Sequence, residues 1–154
     1  MAERMSIMDF DTFTLKYNNF MDRCHAYNNS EAWDEDEYCE MGLFYESSLS
    51  NLLLSLVATD EVINEKEVDF LNQFGVGEFS LERLQDIYSC CRENIDNYYD
   101  VHIIRDIDLL KRVGQDFADE YKDLVKGACE LIISSDGVVA DAEKQQAARL
   151  INRL

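Results

Sequence analysis

The chain has 154 residues, 47% of them hydrophobic, and 32 acidic against 14 basic side chains give it a formal net charge of −18. That length is enough for one domain with a real core, and that charge repels nucleic-acid phosphates and bare anionic lipid, so direct binding to either is set aside. The absence of proline and the six glycines favour long helices with few sharp loops, and no β-branched run alternates with polar residues, so strands are not expected.

Residues 1–28 place Phe10, Phe13, Tyr17, Phe20, Cys24 and Tyr27 three and four apart. This is an aromatic stripe on one helix face. It has two readings. It packs on the core or on a second copy of the chain, or it docks a partner; packing is favoured, because a free stripe this long invites aggregation. Residues 28–40, NNSEAWDEDEYCE, are strongly acidic. Asn28-Asn29-Ser30 reads as a break with Ser30 as a helix cap. Trp33 and Tyr38, five apart, do not form a helical stripe. The run Asp34 to Glu37 is a solvated face, or, if mobile, a short acidic ligand for a basic partner.

Met41 to Thr59 is the first core helix, followed by an acidic turn and a helix from Glu65 to Phe74. Gly75 ends that helix and Ser80 caps the next, which carries Leu81, Leu84, Ile87, Tyr88 and Cys91. Asn94 to Asp100 is a frayed end and a turn. Asp100 then caps a helix with Ile103, Ile104, Ile107, Leu110 and Val113 facing inward. Gly114 breaks it, and Asp116 caps a long helix from Phe117 to Ser135. A turn and a last helix, Asp141 to Arg153, complete the chain.

The stretch Leu52 to Phe74 returns as Cys129 to Ile151. Asp60, Val62, Ile63 and Glu67 match Asp136, Val138, Val139 and Glu143 at a constant offset of 76 positions, with no gap. A fixed period reports one structural unit used twice. In the first copy Leu52, Leu53, Leu56 and Val57 make the apolar face. In the second, Val125, Ala128, Cys129, Ile132 and Ile133 do. Asp136-Gly137 is a turn pair; the first copy has Glu61 in place of the glycine. Asn64 with Glu67 three residues on has capping-box spacing, while the second copy has Ala140 at the cap position.

An apolar helix, then Asp-Gly-x-Val/Ile, a cap, two residues and Glu, used twice, resembles the TerB-like (tellurite-resistance) family. The resemblance covers Met41 to Leu154. It implies an all-α, compact helical bundle of about seven helices built on two pseudo-symmetric helix-turn-helix units. Residues 1–40 are then an N-terminal helical arm with an acidic segment, and residues 41–154 the TerB-like domain. It also implies a divalent cation, Ca²⁺ or Mg²⁺, held by acidic side chains of the two turns. Asp60, Glu67, Asp136 and Glu143 are the candidates here. Clustered oxygens suit such hard cations. The competing reading is that each Glu caps its own helix and each Asp satisfies turn amides.

The five cysteines (Cys24, Cys39, Cys90, Cys91, Cys129) are odd in number and include no CxxC pair, which argues for free thiols in a reducing compartment. The start MAERMSIMDF lacks an apolar signal region and no run is long enough to span a bilayer, so a cytoplasmic protein is expected. His25 and His102 fit no closed zinc site, and no nucleophile elbow or phosphate-cradling loop occurs. The expectation is a non-enzymatic binding or scaffold protein of TerB-like, stress-response or defence type, with protein partners of basic surface. An alternative is an acidic decoy that fills the basic groove of a nucleic-acid-binding protein. A homodimer through the aromatic stripe is a third.

Overall fold

The computed structural model describes residues 9–28, 30–31, 33–57, 65–76, 78–96, 102–134 and 141–153. Among them the chain is all helix and turn, with no strand. The helices are α1 (Phe10–Tyr27), α2 (Glu35–Tyr38), α3 (Met41–Val57), α4 (Glu65–Asn72), α5 (Leu81–Asp96), α6 (Ile104–Lys111), α7 (Gln115–Ser134) and α8 (Asp141–Arg153). α2 is a single turn; the other seven form the bundle expected. None of the described helices is long and apolar enough to cross a membrane.

α3 and α7 carry the core. α3 buries Met41, Tyr45, Leu49, Leu52, Leu53, Leu54 and Leu56, so it is covered on nearly every side. It packs against α1, α2, α5 and α8, and α7 packs against α1, α6 and α8. α1 lies across both, because its stripe points inward: Phe13, Tyr17, Phe20 and Cys24 are buried. Phe20 is the pivot. Its ring stacks on Tyr121 (5.2 Å, 22°) and meets Tyr45 (5.7 Å) and Phe117 (5.1 Å) edge-on, the geometry that ring quadrupoles favour. The stripe is used inside the chain's own core except at Tyr27, which stays 37% exposed. Outside the stripe, Lys16 pairs with Asp123 (2.7 Å) and Arg23 with Glu120 and Asp116. Arg23 also lies over the Phe117 ring. These pairs, exposed except for the half-buried Arg23–Glu120, set the register of α1 on α7, and the exposed ones add ~0–1 kcal/mol each.

The helix ends follow local chemistry. Asp9 caps α1 by accepting from the Thr12 N–H at 2.7 Å. α4 ends at Asn72 and the turn after it closes at Gly75, whose φ of 73° is left-handed and suits a residue without Cβ. Ser80 Oγ accepts from the Arg83 N–H at the start of α5, as expected. Phe70 and Phe74 dock edge-on against Phe10, with Phe74 reaching Phe13 as well, and this seats α4 on the start of α1.

Four expectations are corrected. Ser30 is not a cap: its N–H bonds the Tyr27 carbonyl and its carbonyl accepts from Trp33, so the chain makes two successive turns. Asp34 caps α2 instead, accepting from the Asp36 and Glu37 N–H groups at 3.1 and 3.2 Å. Asp116 lies inside the first turn of α7 and faces Arg23, because the helix begins one residue before it at Gln115. Ile104 is 43% exposed rather than inward. Asp106 and Leu109 are drawn into the core, and on a 3.6-residue repeat a position two before Asp106 then points away. Ile133 likewise is 36% exposed while Cys129 and Ile132 beside it are buried. The caps expected at Asn64 and Asp100 lie outside the described residues.

Candidate functional site

Of the four carboxylates of the repeated motif, one is open to description. Asp60 and Asp136 lie outside the described residues, and so does the side chain of Glu143, the third residue of α8. Glu67, at the equivalent third position of α4, is buried with 1% exposed. A carboxylate in a first helical turn is favoured by the axial dipole. Among the described residues no three of His, Cys, Asp and Glu come together in a group able to hold a metal ion.

A second buried carboxylate was not singled out by sequence. Asp106 is fully buried on α6. Ser48 of α3 donates from Oγ to Asp106 Oδ2 at 2.7 Å. With that proton committed, the 2.6 Å contact between Ser48 Oγ and the Tyr121 hydroxyl has Tyr121 of α7 as donor. Tyr45 donates to the Asp106 carbonyl at 2.7 Å, and Arg105 donates from Nε and a terminal nitrogen to Oδ1 at 3.1 and 2.9 Å. Burial pushes the Asp106 carboxyl above its ordinary range, against the opposing pull of Ser48, Arg105 and His102. Every oxygen is satisfied and no surface reaches it, so the cluster is a brace joining α3, α6 and α7. The sequence did carry a signal: Asp106 falls three after Ile103 and four before Leu110, on the apolar stripe, and Ser48 falls three after Tyr45 and four before Leu52 on that of α3.

The described thiols offer little nucleophile. Cys24 and Cys129 are buried, and burial raises both, Cys129 to about 12. Cys39 is exposed, and partial burial with Glu40 and Glu35 raises it too. A thiol held protonated at neutral pH reacts slowly. On the surface His25 contacts Glu40 at 3.0 Å, and Glu40 Oε1 accepts the Leu43 N–H at the start of α3.

The concave surface of interest lies between α3 and α5. It is a cleft of about 230 Å³. Its floor is Leu54, Val76 and Leu84, all buried, with Phe79 and Ile87 half-covered at the sides. Ser47, Ser50 and Asn51 of α3 form a polar wall, and Glu46 and Glu78 stand at the rim. A shallower depression adjoins it, lined by Ser80, Glu82, Arg83, Asp86 and Ile87. Arg83 and Ile87 are common to both, so the two together are lined by four carboxylates and one guanidinium. Sequence reasoning missed this site because its walls come from the outward face of α3 and the segment 76–87, which no local pattern links. Compared with protein-family models, with curated proteins and with solved structures, the chain gives no match.

Proposed function

We propose that the protein is a non-enzymatic binding or scaffold module that engages basic surfaces of other proteins, in the manner the TerB-like resemblance implies for stress-response and defence systems. The observation that carries this reading is the one-sided charge. Against a net charge of −18, Glu67 and Asp106 are the buried acidic residues among those described, so the other described carboxylates face solvent or its edge. Such a field speeds encounter with a cationic partner and rejects anionic ones. The motif carboxylates Asp60, Glu67, Asp136 and Glu143 are the proposed cation ligands within this reading, resting on the 76-position repeat.

The test is calorimetric titration of a lysine-rich histone, as a defined basic protein, at increasing salt. Binding that weakens steeply as salt rises supports the reading. Absent binding, or binding indifferent to salt, removes it.

The decoy reading has its own support in α2. Trp33 is buried, donates its indole N–H to the Cys39 carbonyl at 2.9 Å and meets the Tyr38 ring at 5.4 Å. Glu35, Asp36 and Glu37 are thereby held exposed on a fixed turn, as a mimic of spaced phosphates requires. It predicts competition with duplex DNA for a DNA-binding protein. A partner that holds both at once excludes it.

A further inference from the structure

We infer that the cleft between α3 and α5 is an anchor pocket for one arginine or lysine side chain of a partner protein. The inference rests on the reading above that the partners are basic proteins, and it says where the contact is made.

Size comes first. At about 230 Å³ the cleft is smaller than the ~300–1,000 Å³ of pockets that enclose cofactors and drug-sized ligands. It holds one long side chain. Chemistry narrows the choice further. The floor of Leu54, Val76 and Leu84 is apolar and buried, while the rim carries Glu46 and Glu78. A ligand that suits both is apolar along its length and cationic at its tip. Arginine and lysine are built that way, laying a methylene stem on apolar surface while the charged head stays at the wet edge. Glu46 and Glu78 would accept charge-assisted hydrogen bonds from that head, and Ser47, Ser50 and Asn51 offer further oxygens along the wall. Arg83 lines both the cleft and the depression beside it, and one guanidinium among Glu46, Glu78, Glu82 and Asp86 leaves the site acidic, so it disfavours an anionic side chain and accepts a cationic head. The neighbouring depression repeats the preference with Glu82 and Asp86. A second basic residue of the same partner segment would sit there.

The experiment uses the full chain with labelled methyl groups and a synthetic peptide of alternating arginine and serine as probe. Binding in the cleft shifts the methyl signals of Leu54, Val76, Leu84 and Ile87. The double substitution Glu46→Gln/Glu78→Gln should raise the Kd about tenfold or more. Asp11→Asn/Asp69→Asn removes the same charge from exposed sites on α1 and α4 and should change it less than about threefold. Ser50→Lys, which places a cation of the chain's own at the wall, should block the site, with circular dichroism confirming the fold. Equal weakening by both double variants, or shifts spread over the surface, overturns the pocket and leaves the acidic-surface reading standing. No binding by the unsubstituted protein overturns both.

Discussion

Ser48 and Asp106, 58 positions apart, lie 2.7 Å from each other in the interior, one hydroxyl on one carboxylate. The contact joins α3 to α6, and Tyr121 extends it to α7. Its dependence on pH can be worked out. Burial makes the folded Asp106 hold its proton more readily than the ordinary value of 3.8. A raised folded pKa gives stability that is present in full below the unfolded pKa and is lost as pH rises through the folded one. Ionised Asp106 therefore costs the native state something at neutral pH. Asp106→Asn imitates the protonated form and leaves the neighbouring Arg105, His102 and Tyr45 in place. The two proteins should have similar urea midpoints at the acid end, and the substituted one should become the more stable as pH rises through the folded pKa. If the unsubstituted protein gains on it with rising pH instead, the Arg105 pair outweighs desolvation.

Phe20 fixes how α1 joins the bundle. It touches Tyr45, Phe117 and Tyr121 at once and is fully buried. Phe20→Ala should cost about 3–5 kcal/mol, since its neighbours belong to two different helices and cannot close the hole together. Leu15, on the same helix and 63% exposed, is the control. Leu15→Ala should stay within ~0.5 kcal/mol. Denaturant unfolding of the two variants separates the faces of α1; similar losses would mean that α1 does not lie as described.

How much of this could be read beforehand depends on where the partners of each residue sit. The α1 stripe, the Gly75 stop and the Ser80 cap were legible, because spacing and local hydrogen bonding determine them. α2 was not. Its residues carry no apolar period, and it exists because Asp34 caps it and Trp33 meets Tyr38 and Phe44 around it. Asp106 was overlooked for a related reason. Its partners are Ser48 and Tyr45, on a helix separated from it by α4 and α5, and a helical stripe read for apolar residues counts the Asp as an interruption. The cleft is a meeting of two surfaces distant in sequence. The repeated turns gave the plainest sequence signal, yet Asp60 and Asp136 fall outside the described residues, so the described geometry covers the helices of the repeat and Glu67 but not its turns.

Two positions should become more stable with something removed. Tyr17 is 4% exposed and its hydroxyl has no hydrogen-bond partner among the described residues. Burial, with Glu46 and Cys24 nearby, raises its pKa. Tyr17→Phe keeps the ring and deletes the unsatisfied group, so stability should rise by about 1 kcal/mol. Cys39 is non-glycine at φ 69°, ψ −173°, a region that residues with a Cβ seldom enter. Cys39→Gly relieves that strain and returns part of it as chain entropy, for a net gain of up to about 1 kcal/mol. Gly75→Ala is the mirror test and should cost about 1–2 kcal/mol at its φ of 73°. Thermal unfolding measures all three. A loss at Tyr17→Phe would reveal a partner for the hydroxyl, and a loss at Cys39→Gly would mean the thiol contributes more than its weak 3.6 Å contact to the Glu40 carbonyl suggests.

The cation proposal stands on the repeat and is tested by mass action. A metal that binds the folded chain alone must raise its melting temperature with concentration, by about 2.7 kcal/mol of added stability at a hundredfold excess over Kd. Ca²⁺, Mg²⁺ and Mn²⁺ are titrated in turn against the unsubstituted protein and Asp60→Asn/Asp136→Asn. The expected result is a rise for one of the ions that the double variant loses. Glu67 supplies the finer discrimination, because it is buried and belongs to the same motif. If it is a ligand, Glu67→Gln weakens the metal response as well as the fold. If its role is to hold the first turn of α4, Glu67→Gln lowers the melting temperature by the same amount with and without metal. An equal response to metal in all three proteins would remove the motif carboxylates from cation binding altogether.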